Sequence, residues 1–248
     1  MQTRTVVDRA AVEVEGVSKH FRLRHTHSLK EALVWTVQGR ARTDDFTALH
    51  PLDLAIEAGE SLALLGRNGS GKSTLLKLLA GVMAPDSGQV RVRGRLAGLL
   101  EVGAGFHPDL TGRENVFLNA AILGLSRAQV EERFDDIAAF ADIGRFLDTQ
   151  VRFYSSGMFL RLAFAVAVHT EPDVFLVDEI LAVGDEAFRA KCLDRIERLA
   201  GEGRTLVVVS HDLPLVERLC SRGVLLDRGR LVADGPVRTA VERLRAAG

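Results

Sequence analysis

A glycine-rich octapeptide, Gly66-Arg67-Asn68-Gly69-Ser70-Gly71-Lys72-Ser73, constrains this chain more than any other stretch in it. The residues before it, "SLALL", read as a buried strand, and those after it, "TLLKLLAG", read as a helix that Gly81 and Pro85 stop. The pattern is GxxxxGKS, and a strand feeding such a loop into a helix lets backbone N–H groups curl around a chain of phosphates. In that arrangement Gly66, Asn68, Gly69, Ser70 and Gly71 form the cradle, Lys72 reaches the phosphate oxygens, the Ser73 hydroxyl ligates Mg²⁺ and Thr74 closes the loop. An α/β fold with a phosphate site at the edge of its sheet follows.

The rest of the composition limits what such a site can serve. The chain has 248 residues, 47% of them apolar, enough for one α/β domain with subdomains. Its formal net charge of −1 argues against binding nucleic acid or another polyanion through whole-molecule charge, so anion binding must be local. Cys192 and Cys220 stand alone, without CxxC spacing, and read as packing residues in a reducing cytosol. The N-terminal "MQTRTVVDRA" lacks the apolar core of a secretory signal, and no apolar run approaches the about eighteen residues of a membrane helix. Any membrane association is expected to come through a partner.

Along the chain, residues 11–23 alternate like a strand, a second strand-like piece spans "LDLAIEAGESLALLG" to Gly66, and residues 24–47 form an insert between them. After "SGQVRVRGRLAGLLEVGAGF" the text becomes helical. Thr111-Gly112-Arg113-Glu114 and Ser126-Arg127-Ala128-Gln129 both have the capping-box pattern, so about 109–170 reads as a helical subdomain set into the core. The core resumes with the strand "DVFLVDE", a helix from Glu186 to Leu199, the strand "RTLVVVSHD", another helix, the hairpin "GVLLDRGRLVADG" and a last helix.

Three further places carry chemistry. The apolar "VFLV" puts Asp178 at the end of a buried strand, where a carboxylate is costly without a cation, so Asp178 is expected to hold Mg²⁺ directly or through water. The adjacent Glu179 points elsewhere by strand alternation and is placed to polarise an attacking water. His211 follows the strand "VVVS" and, at the same edge of a parallel sheet, would donate to the terminal phosphate. The third place is Tyr154-Ser155-Ser156-Gly157-Met158, a turn opening the apolar "FLRLAFAVAV", which offers a second anion a helix N-terminus and two hydroxyls.

Taken in order, "GRNGSGKST", "YSSGM", "VFLVDE", "VGD" and "SHD" resemble the ATP-binding subunit of an ABC transporter over almost the whole chain, about 11–248. The resemblance implies a P-loop NTPase fold of the ABC nucleotide-binding type, with an inserted helical subdomain and an N-terminal antiparallel β subdomain. It implies ATP and Mg²⁺ as cofactors, and a head-to-tail homodimer in which Ser155, Ser156 and Gly157 of one subunit touch the ATP held on the phosphate loop of the other. Against the family's LSGGQ, Ser155 and Gly157 match, whereas Tyr154, Ser156 and Met158 depart. Asp185 corresponds to the family's D-loop aspartate, with Ala182-Val183-Gly184 in place of its usual lead-in. Phe21 stands where the family stacks an aromatic ring on adenine. The family's Q-loop glutamine has no counterpart in "LLEVGAGFHPDLTGREN", and Glu101 is the nearest polar substitute on the metal side.

"YSSGM.LRLAFAVA", "LLEVGAGFHPDLTGREN" and "VDEILAVGD" are similar to the subgroup that exports polyprenyl-linked polysaccharides such as O-antigen, teichoic acid and cell-wall galactan. That resemblance implies a polytopic permease partner, a lipid-linked glycan as cargo, no nucleic acid, and a peripheral place on the cytoplasmic face of the inner membrane. The insert carries a similar "LKEAL"; Leu29, Leu33 and Val37 fall near one side of a short helix with Trp35 close by, and Arg22, Arg24, Lys30, Arg40 and Arg42 make it basic. Such a piece suits a membrane interface, or equally a surface hairpin packed on its own domain. Some members append a carbohydrate-binding β-sandwich, whereas this sequence ends at Gly248 directly after the nucleotide domain. Rival readings are an exporter of drugs, lipids or peptides, a soluble ABC ATPase working on DNA or ribosomes, and a phosphate-loop GTPase or small-molecule kinase. No NKxD motif supports the GTPase, and neither a GTPase nor a kinase accounts for "YSSGM".

Overall fold

The computed structural model describes residues 10–24, 43–98, 103, 105–178 and 185–246, with the side chains of residues 23, 24, 43 and 44 left aside. Glu101, Glu179, Ala182-Val183-Gly184 and the insert residues from Leu29 to Arg42 lie outside the described residues.

Two sheets share the work. The first is antiparallel, in the order β2-β1-β4, from β1 (Ala10–Arg24), β2 (Thr43–Glu57) and β4 (Ser87–Val92). The second has the order β5-β6-β7-β3-β8-β9, from β3 (Ser61–Leu65), β5 (Leu96–Gly98), β6 (Val174–Val177), β7 (Thr205–Val208), β8 (Arg222–Asp227) and β9 (Arg230–Pro236). Its first five strands run parallel and β9 closes it as an antiparallel hairpin. The helices are α1 (Lys72–Leu79), α2 (Gly112–Ile122), α3 (Arg127–Ala141), α4 (Ser156–His169), α5 (Glu186–Gly201), α6 (Leu213–Leu219) and α7 (Val237–Ala246).

Two sequence boundaries are corrected. "LDLAIEAGESLALLG" is not one strand: the Ala58–Gly59 turn, closed by Glu60 N–H donating to the Glu57 carbonyl at 3.1 Å, sends β2 to one sheet and β3 to the other. The chain before the turn pairs with β1, and the chain after it pairs with β7 and β8, so the apolar pattern continues while the hydrogen bonding does not. The insert is also narrower than 24–47, because β1 and β2 stay in register out to Arg24 opposite Thr43, making 43–47 part of a strand. Of the strands after Pro85, β4 joins the antiparallel sheet and β5 the parallel one.

The parallel strands are apolar on both faces because both are covered. Leu62, Leu64, Leu176, Val207 and Val224 pack with α1 and the antiparallel sheet, while the alternate residues Ala63, Leu65, Phe175, Val177, Leu206 and Leu225 pack toward the helical side. Strand alternation thus splits one sheet between two cores. Both sequence-predicted capping boxes are present: Thr111 with Glu114 starts α2 and Ser126 with Gln129 starts α3, each N-cap stabilising its helix by about 1 kcal/mol. Cys192 and Cys220 are buried, and burial pushes both thiols up to about 12, as expected of packing residues.

Candidate active site

Parallel pairing of β6, β7 and β3 brings three separate sequence features to one sheet edge. Asp178 follows β6, His211 lies three residues past β7, and the glycine loop follows β3. At that edge a cavity of about 330 Å³ is lined by Phe46, Ala48, Asn68, Gly69, Gly71, Lys72, Ser73, Thr74 and His211.

The loop is held from outside as well as by its own turn. Gly229, in the β8–β9 hairpin turn, donates its N–H to the Ser70 carbonyl at 2.9 Å, and its own carbonyl accepts from His50 N–H at 2.8 Å. Gly66 has φ 149, and a β-carbon there would run into the Leu226 carbonyl and the Ser70 hydroxyl, so only glycine permits this approach. The N-cap of α1 is Gly71, which offers no side-chain acceptor and leaves the start of the helix without a side-chain cap, as an anion site requires. Ser70 Oγ is buried without a hydrogen-bond partner, an orphan of the kind a bound group would satisfy.

Lys72 bends back on its own loop, donating to the carbonyls of Gly66 at 2.7 Å and Arg67 at 3.0 Å. Burial holds its ammonium below the usual lysine range, partly offset by Asp178. Burial pushes the Asp178 carboxyl up, against the opposing pull of Lys72 and Lys77. A carboxylate raised by desolvation near Lys72, with the Ser73 hydroxyl lining the cavity at the start of α1, fits a divalent cation.

Phe21 is not among the cavity's lining residues; its ring has Lys19 Nζ 5.9 Å from the centroid. Its directly opposite neighbour on β2, Phe46, lines the cavity with 48% of its surface exposed. Phe46 and Ala48 are two residues apart on β2, hence on one face, and both border the loop.

The residues Tyr154 to Met158 contribute nothing to this cavity. Ser155 N-caps α4, its Oγ accepting from Met158 N–H at 3.2 Å, and Ser155 and Ser156 are exposed. Beyond its first turns α4 is buried continuously from Leu162 to Val168, so the helix is anchored deep in the core and open only at its start. Tyr154 donates to the Phe146 carbonyl at 2.6 Å, and burial pushes its hydroxyl up to about 12. Asp185 N-caps α5, accepting from Phe188 N–H at 2.8 Å. Sequence reasoning missed Asn115, which is fully buried: its side-chain NH₂ donates to the carbonyls of His107, Leu110 and Thr111, and its Oδ1 accepts from His107 N–H at 2.7 Å, fixing the loop that leads into α2.

A family model described as "ABC transporter" matches residues 49–182. The ABC transporter protein AbcA of Aeromonas salmonicida is 47% identical over 228 residues, covering 92% of this chain and 73% of that protein. The O-antigen export system ATP-binding protein RfbB of Myxococcus xanthus is 47% identical over 88% of this chain and 52% of its own length. The teichoic acids export ATP-binding protein TagH of Levilactobacillus brevis is 40% identical over 94% of this chain and 64% of its own length. The chain therefore spans less than two thirds of the last two. Among solved structures, the ATP-binding cassette MJ0796, a dimer bound to ADP and Pi, shares the fold with a TM-score of 0.71 at 22% identity, over 92% of this chain and 99% of that one.

Proposed function

The chain belongs to the ABC transporter family, and from that premise we propose that it is the ATP-hydrolysing subunit of an exporter of polyprenyl-pyrophosphate-linked polysaccharide. One observation carries the reading: the glycine loop, Asp178 and His211 meet at one sheet edge while the Ser155 turn, equally suited to an anion, stays outside that cavity. A second subunit placed head to tail would bring its own Ser155, Ser156 and Gly157 to the ATP on this loop. The polysaccharide cargo is supported by the relatives named for O-antigen and teichoic acid export.

In this reading the backbone of Gly66 to Thr74 binds the β- and γ-phosphates, with Ser70 Oγ finding its missing partner there. Lys72 swings from the Gly66 and Arg67 carbonyls to the phosphate oxygens. Ser73 and Asp178 would hold Mg²⁺, which neutralises the charge that builds on the leaving phosphate. Glu179 orients the attacking water as general base, His211 donates to the γ-phosphate, and Phe46, with Phe21 behind it, flanks the base. Glu101 would serve on the metal side in place of the family's glutamine. No helix among the described residues is long and apolar enough to cross a membrane. The relatives named for O-antigen and teichoic acid export support a subunit that works at the inner membrane's cytoplasmic face through a polytopic permease.

The test uses the trapped state. Glu179→Gln is expected to slow turnover by on the order of 10²–10⁴ while leaving ATP binding intact. Membranes from the native host expressing this variant are solubilised gently with ATP present, and the copurifying species are identified by mass spectrometry. A small polytopic permease together with a polyprenyl-pyrophosphate glycan supports the reading. Ribosomal or DNA-bound proteins without a permease would leave the cassette chemistry and remove the transport assignment.

A further inference from the structure

Arg161 lies on α4, six residues beyond Ser155, with only 19% of its side chain exposed. Its guanidinium reaches two other helices. Nη2 donates to Asp185 Oδ2 at 2.7 Å, Nη1 donates to the Asp142 carbonyl at 3.4 Å with Asp142 Oδ2 3.6 Å away, and Cζ lies 4.8 Å from the centre of the Phe188 ring. Asp185 is thereby divided between two tasks: Oδ1 caps α5 through Phe188 N–H at 2.8 Å, and Oδ2 takes the arginine. A charge-assisted hydrogen bond and a cation–π contact on one mostly buried fork fix orientation as well as distance. Around it Phe140, Phe164 and Phe188 pack edge to face and stacked, with ring centres 5.7 to 6.1 Å apart, and Lys191 donates to the carbonyls of Ala139 and Phe140 at 3.1 Å each. The end of α3, the body of α4 and the start of α5 are therefore knit at one point.

We propose that Arg161 is a positioning residue that holds Asp185, and with it the start of α5, in register with the signature turn at Ser155. One end of this link is the turn that reaches the ATP of the partner subunit. The other begins the helix that follows the chain's own metal-side strand, so a shift at one nucleotide site is carried through Arg161 toward the other. The inference rests on the ATP-sandwich reading above. Neither Arg161 nor Asp185 lines the phosphate-loop cavity, so the link governs turnover rather than the loop's hold on nucleotide.

The experiment is a double-mutant cycle on the purified full chain, reading kcat and KM for MgATP. Arg161→Ala is expected to lower kcat about tenfold with KM within about twofold, roughly 1.4 kcal/mol of transition-state stabilisation. Asp185→Ser keeps a good N-cap for α5 but is too short to meet the guanidinium, so it should give the same loss, and the double variant should be no slower than either single one. Arg161→Lys should recover part of kcat, because the charge remains and the fork does not. Losses that multiply in the double variant, or wild-type kcat in Arg161→Ala, overturn the proposal. If Arg161→Ala does not fold, Asp185→Ser and Arg161→Lys decide, and wild-type kcat in both overturns it. Ser155→Ala in the same assay separates the two layers: if it is as active as wild type the sandwich reading fails and this inference with it, whereas loss there beside unaffected Arg161 and Asp185 variants overturns the inference alone.

Discussion

Two helix N-termini in this protein carry sequence patterns suited to anions, and they are finished differently. At α1 the N-cap is Gly71, with φ 107 and no side-chain acceptor, so the helix start leaves its N–H groups to whatever binds. At α4 the N-cap is Ser155, whose hydroxyl already takes the Met158 N–H. The first is enclosed by β2, by the β8–β9 turn and by His211; the second is exposed at its mouth and held from behind by Tyr154 and Arg161. An unfinished cap inside a cavity makes a complete binding site, and a finished cap on a surface makes a contribution to someone else's. Under the proposed head-to-tail pairing, that contrast would let one chain hold nucleotide and leave a second copy to complete the chemistry.

The strongest way to break the contrast is to remove the lysine of the glycine loop. Lys72→Ala should weaken ATP binding on the order of 100-fold, measured by titration with a fluorescent ATP analogue, while the same measurement on Ser155→Ala should stay near wild type. Equal weakening in both would mean that the two N-termini serve one site within one chain. A smaller effect sharpens how the signature turn is held. Tyr154 Oη sits where a β-carbon on residue 112 would fall, so Gly112→Ala must displace the tyrosine and should cost about 2 kcal/mol in chemical denaturation, with ATP binding to the isolated chain unchanged. The smallest effect concerns the metal carboxylate. Because burial raises Asp178 in the folded state, the native protein binds more protons than the unfolded chain between the ordinary carboxylate value and the raised one. Stability of the nucleotide-free protein should therefore fall as pH rises through that window, and Asp178→Asn should flatten the slope. An unchanged slope would show that Asp178 is not the group that resists ionisation.

Much of this was legible before any fold. The two capping boxes, the glycine loop and the apolar run ahead of Asp178 are patterns within a few residues, and each formed where its spacing placed it. What misled was continuity. Residues 52–66 keep one apolar rhythm, yet a two-residue turn hands the chain from an antiparallel sheet to a parallel one, because apolar alternation reports burial and says nothing of which strand accepts the hydrogen bonds. The same gap hid Phe46: Phe21 follows a recognisable stretch, but which of two facing aromatic rings borders the loop depends on cross-strand register.

The sequence by itself determined the groups available to this protein: a GxxxxGKS loop, a carboxylate at the end of an apolar strand, a histidine after another and a serine turn at a helix start, in an order that a parallel sheet can gather. Local spacing suffices there, since caps, glycine turns and strand ends are set by neighbours in the chain. The tertiary structure alone decided that Asp178 comes close enough to Lys72 for each to shift the other, that Phe46 borders the cavity, and that Arg161 grips Asp185 across 24 residues. Those pairings depend on strand order and helix packing, which arise when two covered faces of one sheet fill their cores together, and no window of adjacent residues contains them.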